Sequence, residues 1–206
     1  MKPLEEFKVK GLRVELWPDE DPGNPRENDN FGMMECFHNK YKLGDRTEHS
    51  SKDFGGWGQL AEHLKAEHGA EIILPLYLYD HSGLRMKVGS FQGLLPQGHA
   101  EFDSGQVGFI YATKADILGN WNVKQLSKAL LKKAEERLTA EVTEYDLYLS
   151  GQVYGYQIFK DAPAPKCPTC GHVGEPEELD SCWGCFGYDY AVKTAREAAE
   201  RIAKGK

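Results

Sequence analysis

From position 126 to 149 apolar residues recur three and four apart: Leu126, Leu130, Ala134, Leu138, Val142, Tyr145 and Leu149. That is the period of one helix face. A strand would throw the same residues to both sides of a sheet. Asn122 reads as the N-cap, with Gln125 three positions on in a capping-box arrangement. The spacing predicts a helix of about 26 residues, about 40 Å long. Its five basic and five acidic side chains lie mainly off the stripe, so the helix has one face for a core and one for solvent.

The elements around it are mixed. Residues 7–17 alternate like an edge strand broken at Gly11, and residues 18–30 read as an exposed, mobile polar loop with three prolines. Residues 33–38 read as a short buried strand. Residues 57–68 place Trp57, Leu60, Ala61 and Leu64 on one helix face, with Gly69 as the stop. Residues 71–80 are the most strand-like run, and Pro75 inside them argues for an edge position or a bulge. A turn at 80–83 leads to a return strand, and 106–113 and 152–160 are further strands. Residues 178–184 pair with 152–160, and an Ala-rich helix runs from Asp189 to near Gly205. Strands and helices in this order predict an α+β fold: a mainly antiparallel sheet packed by the long helix and two shorter ones. Ser104-Gly-Gln-Val is echoed at Ser150-Gly-Gln-Val; both open a strand after a break.

Charge narrows the function classes. The 206 residues carry 25 Lys+Arg and 32 Asp+Glu, a formal net charge of −7. The length fits one domain over 1–206, with residues 161–187 as an insert within it. A nucleic-acid binder neutralises phosphates with Lys and Arg, and the insert is the worst place to do so. Residues 161–189 hold six acids and one base, Lys166. No apolar run approaches the roughly 18–20 residues that span a bilayer, and the N-terminus lacks the apolar core of a signal peptide. A cytoplasmic protein is the expectation.

The insert also carries four of the five cysteines, Cys167, Cys170, Cys182 and Cys185, in a C-x2-C-x11-C-x2-C pattern. In a reducing compartment, two close pairs of thiols read as ligands of one structural zinc ion. His172 could replace one sulfur. A redox dithiol and buried free cysteines are the rival readings.

Several segments carry a family likeness: CFHNKYKLGD (36–45), LPLYLYDHSG (74–83), DSGQVGFIYATK (103–114), EVTEYDLYLSGQVYGY (141–156) and DSCWG (180–184). On these motifs the chain resembles an uncharacterised family of small proteins from bacteriophages and other bacterial mobile elements, over about residues 14–200. The resemblance implies an origin, with no activity to carry over. Cys182 falls in the shared DSCWG segment. Cys185 stands where the family has Phe, in the same chain that gains Cys167 and Cys170.

Candidate chemistry lies in the polar turns. His81 with Asp80 or Asp103 could form an acid–base pair, with Ser82 or Cys36 as nucleophile and His38 nearby. The plainer reading is that 80–83 is a turn whose Asp and Ser cap backbone amides, and that Cys36 is a small core residue. Two function classes follow. One is an accessory protein that binds a bacterial host component, for example to inhibit a defence system. The other is a small hydrolase or transferase using a His81/Asp103 site.

Overall fold

The computed structural model describes residues 2–45, 49–94, 98–161, 169–170, 174 and 176–205, without the side chains of His99 and Glu101. The chain is α+β, and its strands form two four-stranded antiparallel sheets where the sequence reading expects one. Contacts divide it into two compact units, residues 24–150 and residues 1–23 with 151–206.

The 24–150 unit is built on β3 (Met33–Cys36), β4 (Ala70–Asp80), β5 (Leu84–Val88) and β6 (Ser104–Thr113), in the order β3-β6-β4-β5. Alternation along β6 gives the sheet two apolar faces. Ile110 and Ala112 meet the helix α4 (Lys128–Leu149), which buries Leu130, Ala134, Leu138, Val142 and Tyr145 against Met34, Leu76, Leu78 and Met86. Phe109 and Tyr111 pack with Leu60 and Leu64 of α1 (Trp57–Glu67). The unit is therefore a sheet between two helices. β3 lies so close to β6 at Gly108 that a side chain there would strike the Glu35 carbonyl.

Three local readings change. The long helix begins later than its stripe predicts: Ser127 is the N-cap, accepting from the Leu130 N–H at 3.2 Å, and Asn122 sits in a turn at φ +50°. Before that turn runs α3 (Lys114–Asn120), capped by a reciprocal Thr113/Asp116 box and too short for periodicity to reveal. β4 is interior, between β6 and β5, yet contains Pro75. The Pro75 carbonyl accepts from Gly89, one residue past the end of β5, so the missing N–H faces the side where that ladder has run out. The expected irregularity is there too, as a register shift between Leu76 and Tyr77.

The loop expected to be exposed holds a buried charge. Asn24 caps a 3-10 turn at Pro25–Glu27, and Arg26 points inward, 7% exposed. Its guanidinium grips Asp45 with two bonds (2.8 and 2.7 Å), Glu141 of α4 (3.0 Å) and the Gly32 carbonyl (2.6 Å). Burial works against its charge, and Asp45 and Glu141 outweigh that, so its pKa is raised. A second lock joins α4 to β5: buried Asp146 accepts from Arg85 (2.8 Å) and from the Met86 N–H (2.7 Å).

The other unit pairs β1 (Glu5–Val9), β2 (Leu12–Pro18), β7 (Val153–Lys160) and β8 (Glu178–Phe186) in the order β1-β2-β7-β8. The break at Gly11 is a hairpin: Lys10 and Gly11 both have positive φ (50° and 82°), as a tight two-residue turn requires. α5 (Tyr188–Ala203) lays Ala191, Ala195, Ala198 and Ala199 on Val14, Leu16, Tyr156 and Ile158. The two echoed segments thus open strands of different sheets, β6 and β7. Cys167 and His172 of the expected insert lie outside the described residues, while its C-terminal part is the edge strand β8.

Replacing Arg26 by Met should lower the stability of the 24–150 unit by about 2–4 kcal/mol, because it strands two half-buried carboxylates. Urea unfolding followed by Trp fluorescence measures this. Unlike a simple buried pair, an apolar replacement of all three residues should not restore stability. Asp45 and Glu141 also accept the backbone N–H groups of Met34, Phe31 and Gly32.

Candidate metal centre

His49, His63 and His68 converge on the α1 face of the β3-β6-β4-β5 sheet. His63 is on α1, His68 is its C-cap residue, and His49 arrives from the segment after β3. Their ring centroids are 4.8 Å (49–63), 5.5 Å (63–68) and 5.9 Å (49–68) apart, with rings steeply inclined at 70–89°. The three ligand atoms lie within 4.8 Å of one another, and the group could hold a metal ion. Phe54 closes one side, with its ring 5.2 Å from His63, and Tyr111 lies 6.0 Å from His68.

Two further observations bear on that reading. The Nε2 of His63 is buried and has no hydrogen-bond partner among the described residues. A buried polar atom in that state costs about 1–3 kcal/mol unless something binds it. Behind His49 stands Glu35 of β3, 5% exposed, with its Oε1 2.8 Å from His49 Nδ1. A carboxylate on one imidazole nitrogen orients the ring and makes the other nitrogen the ligand, as in the outer shells of zinc sites. Three zinc–nitrogen bonds of about 2.1 Å in tetrahedral array put the nitrogens about 3.4 Å apart. Side-chain rotations of an ångström or so would close the group to that spacing. His49 also lines an open cleft of about 420 Å³, whose wall includes His38, Tyr41, Lys42 and Ser50. His68 is exposed.

The residues singled out from the sequence lie mostly at the β4–β5 turn. Asp80 ends β4, and its N–H donates to the Asp103 carbonyl at 2.9 Å. His81 Nδ1 is 3.2 Å from Asp103 Oδ2, the pairing the sequence raised, and Tyr79 stacks on the His81 ring. Asp80 also accepts from the Tyr41 hydroxyl (3.3 Å), and Tyr41 stacks on His38 at 5.0 Å. His38, Asp80, His81 and Asp103 are therefore linked through Tyr41. His38 Nδ1 accepts the backbone N–H groups of Lys40 and Tyr41, a turn-forming role. Ser82 is exposed at φ +56° and serves the turn. Cys36 is buried and its thiol is pushed up strongly, first by burial and then by Asp45, which makes it a core residue and a poor nucleophile.

Of the proposed zinc thiols, Cys167 lies outside the described residues and Cys170 is exposed. Cys182 and Cys185 come together on β8. Among the described residues no third ligand joins them within the spacing the histidines show. The three histidines fall within twenty positions, but their spacings of fourteen and five match no ligand motif, so the sequence does not mark them as a set. The one local signal was the pair His63 and His68 at the end of a helix, read only for its apolar face. Comparison with protein-family models, curated proteins and solved structures finds no match.

Exchanging Glu35 for Gln should weaken zinc binding by about 10–100-fold while leaving the far-UV spectrum unchanged. Competition with a chromophoric chelator reads the affinity.

Proposed function

We propose that this chain is a metal-binding protein whose 24–150 unit takes one zinc-type divalent cation on His49, His63 and His68. The unpartnered, buried Nε2 of His63 carries the reading: folding leaves an unsatisfied imidazole nitrogen inside the protein, on a ring packed against those of His49 and His68. Three neutral nitrogens and an outer carboxylate suit zinc, nickel or copper better than calcium or magnesium, which prefer oxygen. Three protein ligands leave a tetrahedral ion one further position, the arrangement of sites that bind water or a substrate atom. The cleft beside His49 supports such a use. The resemblance implies only an origin in a bacteriophage or other mobile element; the setting we propose for it is an accessory protein acting on a component of a bacterial host. A second reading is acid–base catalysis at the turn, favoured by the 3.2 Å contact of His81 with Asp103.

Equilibrium dialysis against zinc, with metal analysis, tests the centre. One tightly held equivalent is expected in the wild type and in Cys182→Ser. It should be lost in His63→Ala and in His68→Ala, the second removing an exposed side chain and so sparing the core. Zinc at a hundredfold its dissociation constant should stabilise the wild type by about 2.7 kcal/mol and leave His68→Ala unchanged. Acidification should release the metal, since protons compete for the same nitrogens. Zinc kept by the histidine variants and lost from Cys182→Ser would move the ion to the cysteines. Turnover lost in His81→Ala with zinc binding intact would favour the second reading.

A further inference from the structure

The unit formed by 1–23 and 151–206 brings two thiols together. Cys182 and Cys185 stand three apart on β8, and in a regular strand they would face opposite ways. The register against β7 is interrupted between them: Tyr156 pairs with Cys182 and Tyr154 with Cys185, so three steps on β8 oppose two on β7. Gly184, at φ +75°, takes up the extra residue, as a bulge requires. The extra residue restores the alternation, so Cys182 and Cys185 share the face of Tyr156 and Tyr154.

Their surroundings differ. Cys185 is 3% exposed, in the core under α5 with Tyr156 and Ala191. Burial first, and then Cys182 beside it, pushes its thiol up to about 11. Cys182 is exposed, with its Sγ 3.7 Å from the Trp183 carbonyl oxygen. The Trp183 indole lies over Gly155, where no side chain would fit. In a zinc knuckle the turn amides point at sulfur. Here the Gly184 N–H donates to Asp19 Oδ2 at 3.0 Å. An exposed thiol backed by a buried one is an arrangement for exchange, since one sulfur can attack and the other resolve.

We propose that Cys182 and Cys185 form a thiol–disulfide exchange site, with a small disulfide of the oxidised-glutathione class as co-reactant. The Cys182 thiolate attacks one sulfur of the co-reactant. A mixed disulfide forms and the first thiolate leaves. Cys185 then gives up its proton to that leaving thiolate and attacks Cys182 Sγ, forming the Cys182–Cys185 bond and expelling the second thiolate, which takes the proton that Cys182 released to solvent. Two protein thiols are oxidised and one disulfide is reduced to two thiols. The site is independent of the histidine centre.

The full chain is treated with oxidised glutathione near pH 8 and mapped by mass spectrometry after digestion. The wild type should lose two hydrogens and, once cut after Trp183, yield a peptide pair joined through Cys182 and Cys185. Cys185→Ser, and Cys185→Ala if the first is unstable, should stop with one glutathione on Cys182. In Cys182→Ser, glutathione should reach Cys185 at least about tenfold more slowly, because that sulfur is buried under α5 and an attacking thiol needs access. Equal reaction of both sulfurs in the single variants would overturn the proposal, as would a bond joining Cys182 to Cys170. So would zinc that keeps both thiols unreactive until a chelator is added, which is the outcome a four-cysteine site requires.

Discussion

The 24–150 unit depends on the burial of Arg26. One guanidinium holds three pieces of chain that share no hydrogen-bond ladder: the 3-10 turn that bears it, the Asp45 segment and α4 through Glu141. The carboxylates are not spare charge. Asp45 accepts the Met34 N–H at 2.7 Å, and Glu141 accepts those of Phe31 (2.8 Å) and Gly32 (3.1 Å), so the start of β3 is fastened by the same groups. Buried ions of this kind lose their hydration and recover it only through complete hydrogen bonding. Here the geometry supplies it, and the gain is a defined path for residues 24–45 across the helix. His49 follows that path four positions after Asp45.

The motifs behind the family resemblance mostly serve this scaffold. In the segment 141–156, Glu141 receives Arg26, Tyr145 accepts the Gly44 N–H at 3.1 Å and Asp146 receives Arg85 and Met86. The carboxylate of the 36–45 segment is Asp45, and Gly108 of the 103–114 segment is where β3 and β6 approach most closely. Polar residues in striking local patterns are thus largely spent on holding backbone. The chemistry proposed for the unit comes instead from histidines outside those segments. In the other unit, the DSCWG segment supplies one sulfur and the bulge brings it to the second.

Much of the architecture was legible in the sequence. The stripe from Leu130 to Tyr145, the strand-like runs of β4 and β6, the β7–β8 pairing and the C-terminal helix all appear where the sequence places them; the stripe does so because burial of one helix face needs only a repeat within the element. Where the reading failed, the deciding interaction was not periodic. Lys10-Gly11 reads as a break and folds as a hairpin. Asn122 reads as a cap, but Ser127 takes that place after an unforeseen α3. Pro75 reads as an edge signal and is tolerated inside the sheet because β5 ends beside it. Arg26 reads as solvent-facing because its two acids lie 19 and 115 positions away.

The site divides along the same line. Composition and spacing alone established an acidic chain of mixed helices and strands, a clustered set of thiols and a polar turn at 80–83; they raised the pairing of His81 with Asp103, which the register of Tyr79 beside Ser104 brings about. Only the tertiary structure could gather His49, His63 and His68 beside Glu35, or set Cys182 and Cys185 on one face of a bulged strand. A sequence specifies which side chains face inward through its local period. Which distant side chains meet is decided when helices and sheets pack, and ligand sets are made of such meetings.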